Sequence, residues 1–531
     1  MKERTLYALL AMVFAVSRLG YYLLGVRFDA RPVLHYYQFI DPELLKHRLF
    51  ESLLYLHIQP PGWNLYVGAV LKLFPTSYRS AFHVFHLLMG LGICWSLYNL
   101  MRTCRVSRWL ASSLAVWFIV SPGVVLFENY LLYEYLVAFL LLLAAVALAR
   151  FFEDARARWI FLLFTALFAL VLVRNFFHLV YFIAILAALA FLSKSHRRMV
   201  LLCGAVPLLA IIGLYAKNLI LFGTFSGSTW MGMNMDVITA HQLTNDEARD
   251  FVSRGVISEA SLLDVGSALD LYRPYIKIPA RTGIPILDDC VTANGATNFN
   301  CLAFLQVQRL YTRDGLALLR NYPVVYLRSV EVAWFSYFLP AGDFPFFDLN
   351  APKIHKLDRV WNFVFFGQFR EASDRKELRR LASRGTRASL VLFTGMFLII
   401  GFPALWLWGL YYLVSGVRNK TMDRPSAILI GFLLANIAYV TAIANFLSSF
   451  ENNRYRFPLD AFYVVMLGIA LSSWLGSKIP HDKGRSPFVK LFRMRLSTVS
   501  MSTASRSVAK ANARLRSGMA TRYPLGNKRS S

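Results

Sequence analysis

Residues Leu131–Phe151 read LLYEYLVAFLLLLAAVALARF, and the segment that follows, Glu153-Asp154-Ala155-Arg156-Ala157-Arg158, is strongly charged. From Val137 to Ala149 no side chain carries a charge. A helix of about 20 apolar residues crosses the roughly 30 Å hydrocarbon layer of a bilayer. The apolar residues here are not gathered on one helical face, so the block predicts a helix apolar all round rather than an amphipathic surface helix. Working outward in both directions, the pattern recurs at Thr5–Val26, Ser80–Met101, Trp109–Phe127, Trp159–Val173, Phe176–Leu192, Met199–Phe222, Ser389–Val414, Ser426–Phe450 and Phe457–Gly476. With Leu131–Phe151 these predict an all-α polytopic membrane protein of about ten spans. Lys2 and Arg4 before the first block resemble the start of a signal peptide. Its length, the internal Arg18 and the lack of a small-residue cleavage site predict a retained first span.

The composition agrees. Of 531 residues, 57% are hydrophobic and only 16% charged, and the mean hydropathy is +0.47. A soluble domain carries about a quarter charged residues, so a water-soluble globular protein and a disordered chain are both excluded. Lys and Arg number 57 against 30 Asp and Glu, a net charge of +27. In a soluble protein that balance would suggest nucleic acid; in a membrane protein it sets topology, and no nucleic-acid partner is expected. Lys2/Arg4, Arg102/Arg105/Arg108, Arg150/Arg156/Arg158, Lys194/Arg197/Arg198 and Arg418/Lys420/Arg424 fall in alternate turns, which predicts that those turns and both termini are cytoplasmic. The cluster Arg375, Lys376, Arg379 and Arg380 runs against this layout, in a long loop that obeys the charge rule poorly.

The predicted division is a seven-span catalytic module over 1–222, an extracytoplasmic mixed domain with interfacial helices over 223–387, a three-span bundle over 388–477 and a basic disordered cytoplasmic tail over 478–531. That tail suits either contact with anionic lipid headgroups or simple solvation. Val324–Phe338 is apolar but short and holds Arg328 and Glu331, so it reads as an interfacial helix rather than a span. Pro60-Pro61 suits the start of another short helix, and Thr244-Asn245-Asp246-Glu247 has the pattern of a helix start. Cys94 and Cys203 fall in predicted spans and Cys104 in a cytoplasmic turn, whereas Cys290 and Cys301 share the large outer loop. A disulfide between those two is expected, with two free thiols as the other reading.

No P-loop, dinucleotide fingerprint or His-Glu-x-x-His motif is present. Ionisable residues are costly at membrane depth and usually have a purpose there. They gather at the predicted outer ends of the spans: Asp29 after the first, His57 at the end of the first loop, Glu128 and Glu134 around the second turn, Arg174 with Asn175 and His178 at the third, Lys217 near the end of the seventh, and Glu451-Asn452-Asn453-Arg454-Tyr455-Arg456-Phe457-Pro458 as a turn between the last two. Carboxylates and guanidinium groups on one rim can move a proton and bind an anionic, membrane-anchored substrate. Each also has a plainer reading. Asp29 could cap a helix or pair with Arg27 or Arg31, and the cations could anchor span ends to headgroups.

Phe28-Asp29, His57-Ile58-Gln59-Pro60-Pro61-Gly62-Trp63-Asn64-Leu65-Tyr66 and Glu451–Pro458, taken in order with a large outer domain, resemble the C-type glycosyltransferase (GT-C) superfamily. The resemblance is closest to the branch of protein O-mannosyltransferases and lipid A aminoarabinose transferases. It departs from the O-mannosyltransferases at Ala30, where that group typically has Glu after the Asp. It implies an inverting transferase that takes a sugar from a polyprenyl-phosphate donor to a glycan, lipid or protein acceptor outside a plasma or inner membrane. Asp29 would act as base, with Glu128 as the second acidic residue and Glu134 its competitor. His57, Arg174, Lys217, Arg454 and Arg456 would bind substrate, the last two at the lipid phosphate. No cofactor and no metal ligands are assigned, and a divalent metal stays open. The rival class is a lipid or polysaccharide transporter or flippase, which favours midspan charges, paired broken helices and an internal repeat. No such repeat is read in the chain, and the midspan regions are nearly free of charge.

Overall fold

The computed structural model describes residues 3–372 and 374–475; the predicted tail lies outside them. The described chain is helical. Its principal helices are α1 (Glu3–Leu23), α2 (Gly62–Leu73), α3 (Tyr78–Thr103), α4 (Arg108–Ile119), α5 (Pro122–Glu128), α6 (Tyr133–Asp154), α7 (Ala157–Val173), α8 (Leu179–Leu192), α9 (Arg197–Phe222), α10 (Met231–Ile238), α11 (Leu302–Asn321), α12 (Pro323–Tyr337), α13 (Ala351–Phe366), α14 (Met396–Arg418), α15 (Arg424–Leu447) and α16 (Asn452–Trp474). Among the described residues, seven helices are long and apolar enough to cross a membrane, α1, α3, α6, α9 with its leading turn, α14, α15 and α16, or eight if the bent pair α4 and α5 is one span. Against the expectation of about ten, three of the predicted spans take another form. The predicted span Trp109–Phe127 is two helices, α4 and α5, bent by 59°. The predicted spans Trp159–Val173 and Phe176–Leu192 are shorter apolar helices of 17 and 14 residues.

The bend has a local cause. Ser121 accepts from the amide of Val124 and Pro122 follows it, which starts a new helix. The carbonyls freed at the break are taken by α1, where Arg18 Nη1 donates to Ile119 O at 2.8 Å and Tyr21 OH to Val120 O at 2.9 Å. In hydrocarbon no water could satisfy them. At the N-terminal end of α14 the predicted start at Ser389 is replaced by a break at Gly395, whose φ of +95° favours glycine.

Helix α6 packs against α3, α7, α15 and α16, and with α16 forms the buried centre of the bundle. Large apolar residues such as Leu202, Val206, Leu209, Ile400, Leu407 and Val414 stay exposed on α9 and α14, as lipid-facing surfaces require. The bundle has two chemically distinct ends. Arg105 pairs with Asp423, Ser426 donates to Thr103 O and Arg424 to Leu192 O, so the basic turns meet at one end. The opposite end, the site end, carries Asp29, Arg174, Arg454 and the 223–387 region. The basic helix Arg375–Ser383 joins that end, because Arg379 donates to His241 O at 2.7 Å.

The 223–387 region corrects the expected mixed domain. Among the described residues it holds helices, turns and an isolated bridge between Val291 and Thr297, and no strand. Thr244 and Glu247 form a capping box as their spacing predicts. Helix α12 lies against α15, with Tyr337 OH 2.8 Å from Thr441 Oγ1 and Tyr326 OH donating to Phe446 O. Cys290 and Cys301 form a disulfide.

Candidate functional site

The eight residues Glu451–Pro458 are not a turn. All but Glu451 belong to the first turns of α16, so Arg454 and Arg456 point to different faces of one helix. Arg454 faces a cavity of about 710 Å³ at the site end, bounded by the first loop, the ends of α6, α7 and α16, and α10.

The cavity is aromatic and polar. Tyr37 from the first loop stacks on Trp230 with centroids 5.2 Å apart, and Phe299 meets both rings edge-on. Gln38, Gln59, Asn175, Asn234, Thr297 and Asp264 supply polar groups around them. Flat rings beside hydrogen-bonding side chains suit a sugar, which has apolar C–H faces and polar edges. The disulfide shapes one wall, since Gly295, Ala296, Thr297 and Phe299 lie on the loop it closes.

Two buried guanidinium groups form the floor. Arg454 donates to Tyr36 OH, lies 3.0 Å from Tyr455 OH and pairs with Glu451 at 3.2 Å. Arg174 is held among the rings of Tyr133, Phe176 and Tyr455, 4.3 to 4.7 Å from their centroids. Glu134 sits beneath both, 3.4 Å from Arg174 and 3.8 Å from Arg454. Its carboxylate oxygens have no hydrogen-bond partner among the described residues, so these pairs are held by charge rather than by tight bonds. Burial raises the Tyr36 hydroxyl well above its usual range, which keeps it a neutral hydrogen-bonding group beside Arg454.

The other residues singled out in the sequence are placed elsewhere. Asp29 is buried beside the cavity, not on its wall. Its backbone bridges Tyr130, and its carboxylate takes Arg31 Nε at 2.9 Å and Nη2 at 2.6 Å. Arg31 also reaches Asp348 at 2.7 Å and is half exposed. Glu128 lies inside the bundle, away from the polar cavity. It is 0% exposed, and Arg18 grips it at 2.8 and 2.6 Å while Tyr135 OH donates at 2.7 Å, leaving no face for a substrate. Gly90 makes room for it, since a Cβ there would lie 2.4 Å from Glu128 Oε2.

His57 is buried and holds two backbone segments together. Its Nε2 lies 2.9 Å from Asn300 O and so carries the proton, which leaves Nδ1 to accept from Thr229 Oγ1 at 2.8 Å. Burial draws its pKa down to about 4, so the ring is neutral. Lys217 donates to Leu54 O and Leu56 O, tying α9 to the end of the short helix Leu49–Tyr55. Arg456 bonds Asp460 at 2.8 Å and the carbonyls of Tyr337 and Leu339, each at 2.8 Å, so it braces α16 against the end of α12. Of the seven residues proposed for catalysis or binding, Arg174 and Arg454 line the polar cavity. Tyr37, Trp230, Asp264 and Phe299 also line the cavity, and they lie in turns and loops without a motif that marks them in the sequence.

No protein-family model, no curated protein and no solved structure matches this chain.

Proposed function

We propose that the protein is an integral membrane glycosyltransferase of C-type architecture, with its site end outside the cytoplasm, that moves a sugar from a polyprenyl-phosphate donor to an acceptor hydroxyl. The observation that carries this reading is the pairing of Arg174 and Arg454, both buried, with the aromatic and polar walls above them. Guanidinium groups held away from water bind phosphate oxygens strongly. Rings and amides beside them suit the sugar that the phosphate carries.

In this reading the acceptor oxygen attacks the anomeric carbon, the bond from that carbon to the phosphate oxygen breaks, and polyprenyl phosphate leaves with the electron pair. The acceptor proton passes to a carboxylate. Asp29 takes that role in the resemblance, and its partner Arg31 is exposed enough to move aside. Glu451 offers a second reading because it lines the cavity itself. Arg454 and Arg174 offset the charge that develops on the leaving phosphate. Membrane lipids and a glycan, lipid or protein acceptor are the expected partners.

Purified protein in lipid nanodiscs, given a labelled polyprenyl-phosphate hexose and a hydroxyl acceptor, should release polyprenyl phosphate. Asp29→Asn should lower turnover about 100-fold while donor binding is kept. Normal turnover in Asp29→Asn together with loss in Glu451→Gln would move the base to Glu451. A donor that crosses proteoliposome membranes with its sugar intact would support the transporter instead.

A further inference from the structure

A second cavity of about 710 Å³ lies between α4, α13, α14 and α16, walled by Trp117, Phe118, Trp361, Phe402, Trp408 and Leu467. Phe365 and Phe397 stand in its wall and are also exposed, so it opens sideways toward the hydrocarbon around the bundle. Water does not fill an apolar space of this kind, and leaving it empty forfeits the contacts of every side chain that lines it. A hydrocarbon chain is the occupant that the surroundings supply.

The polar end of this cavity selects among lipids. Gly342 and Asn362 are shared with an adjoining pocket of about 480 Å³ that is lined by Asp343, Asp358 and Glu371 and by Arg359 and Arg370. Asp343 accepts from Gln368 at 2.6 Å, and one oxygen of Asp358 accepts from Asn362 at 3.1 Å. The other oxygen of Asp358, Oδ1, has no hydrogen-bond partner among the described residues and little contact with bulk solvent. It lies at the boundary of the two spaces, because a Cβ on Gly342 would come within 2.7 Å of it. Burial, with Asp358 nearby, pushes Asp343 up to about 8, and burial pushes Asp358 up to about 6. A cation between them would reverse both shifts.

We propose that this paired space holds a membrane phospholipid with a primary-ammonium head group, its chain in the apolar cavity, its ammonium between Asp343 and Asp358 and its phosphate toward Arg359 and Arg370. The ammonium brings N–H donors to the unpartnered Oδ1 of Asp358, which a quaternary head group lacks. A polyprenyl phosphate would fill the apolar part and meet Arg359 and Arg370 as well, but it brings no ammonium to Asp343 and Asp358. The occupant is therefore distinct from the donor assigned to the polar cavity, and the inference does not depend on that assignment.

The test is native mass spectrometry of the full chain released from nanodiscs containing equal amounts of phosphatidylethanolamine, phosphatidylcholine and phosphatidylglycerol, with polyprenyl phosphate added. The wild-type protein should retain phosphatidylethanolamine about tenfold over the other two phospholipids, the ratio expected for one charge-assisted hydrogen bond. Asp358→Asn should reduce that preference to about threefold or less, and Leu405→Trp, which narrows the apolar part, should lower retention of all lipids. Equal retention of the three phospholipids by the wild-type protein, or displacement of phosphatidylethanolamine by polyprenyl phosphate, would overturn the proposal. The wild-type comparison stands even where a variant fails to fold.

Discussion

Two cavities of equal volume, about 710 Å³ each, lie on either side of the first turns of α16, and two arginines two residues apart divide them. Arg454 is part of the floor of the polar cavity. Arg456 borders the apolar one, but its N–H groups go to Asp460 and to the carbonyls of Tyr337 and Leu339. Residues two apart on a helix are about 200° apart around its axis, so one helix presents the same type of side chain to a cavity floor and to a structural brace. The residue type alone therefore does not separate a ligand contact from a strut. The partners do. Arg454 meets hydroxyl groups and loosely held carboxylates that a ligand could rearrange, whereas Arg456 meets backbone carbonyls that cannot move away.

That contrast is sharpest in stability. Arg456→Ala leaves Asp460 without its partner and strands two carbonyls, a change of about 3–5 kcal/mol for a broken buried pair. It should lower the thermal midpoint of the purified protein, read by intrinsic fluorescence, more than Arg454→Lys or loss of the disulfide does. A midpoint close to wild type would remove the distinction between brace and floor.

The polar cavity has a softer dependence on its wall. Cys290→Ser with Cys301→Ser frees the loop that carries Thr297 and Phe299, and loss of a disulfide closing a loop of about a dozen residues costs about 2–3 kcal/mol. Protease digestion should cut first within that loop, while the apolar cavity keeps its lipid preference. A simultaneous loss of that preference would show that the two cavities are coupled rather than independent.

The smallest effect expected is that of Arg454→Lys, which keeps the charge but loses the planar fork. It should weaken binding of the lipid-phosphate donor about tenfold, the equivalent of about 1.4 kcal/mol, with little change in thermal midpoint. Equal weakening by Arg456→Lys would mean that both arginines reach the donor.

Much of the fold was legible because hydrophobic length is a local property. The apolar blocks, the alternating basic turns, the capping box at Thr244 and the pairing of Cys290 with Cys301 all follow from neighbouring residues in the chain. The breaks were harder. Ser121-Pro122 is a good helix start, but it sits inside an apolar block whose hydropathy hides it. The candidate site was legible only where charge stood out against apolar surroundings, at Arg174 and Arg454. Glu128, His57, Lys217 and Arg456 stood out in the same way, yet their partners are 110, 243, 161 and 119 residues distant and no local pattern announces them. Trp230 and Phe299 lie in short irregular segments, and only the folded chain brings them to Tyr37.

The grip of Arg18 on Glu128 bears on how the chain is built into its membrane. Helix α1 leaves the ribosome with a guanidinium inside an apolar stretch, and the carboxylate that neutralises it follows 110 residues later, together with the break at Ile119 to whose carbonyl the same side chain donates. Until α4 and α5 arrive, Arg18 must stay at the headgroup boundary, because an unpaired cation is expensive in hydrocarbon. Helix α1 therefore reaches its final depth only once α5 has followed it into the membrane.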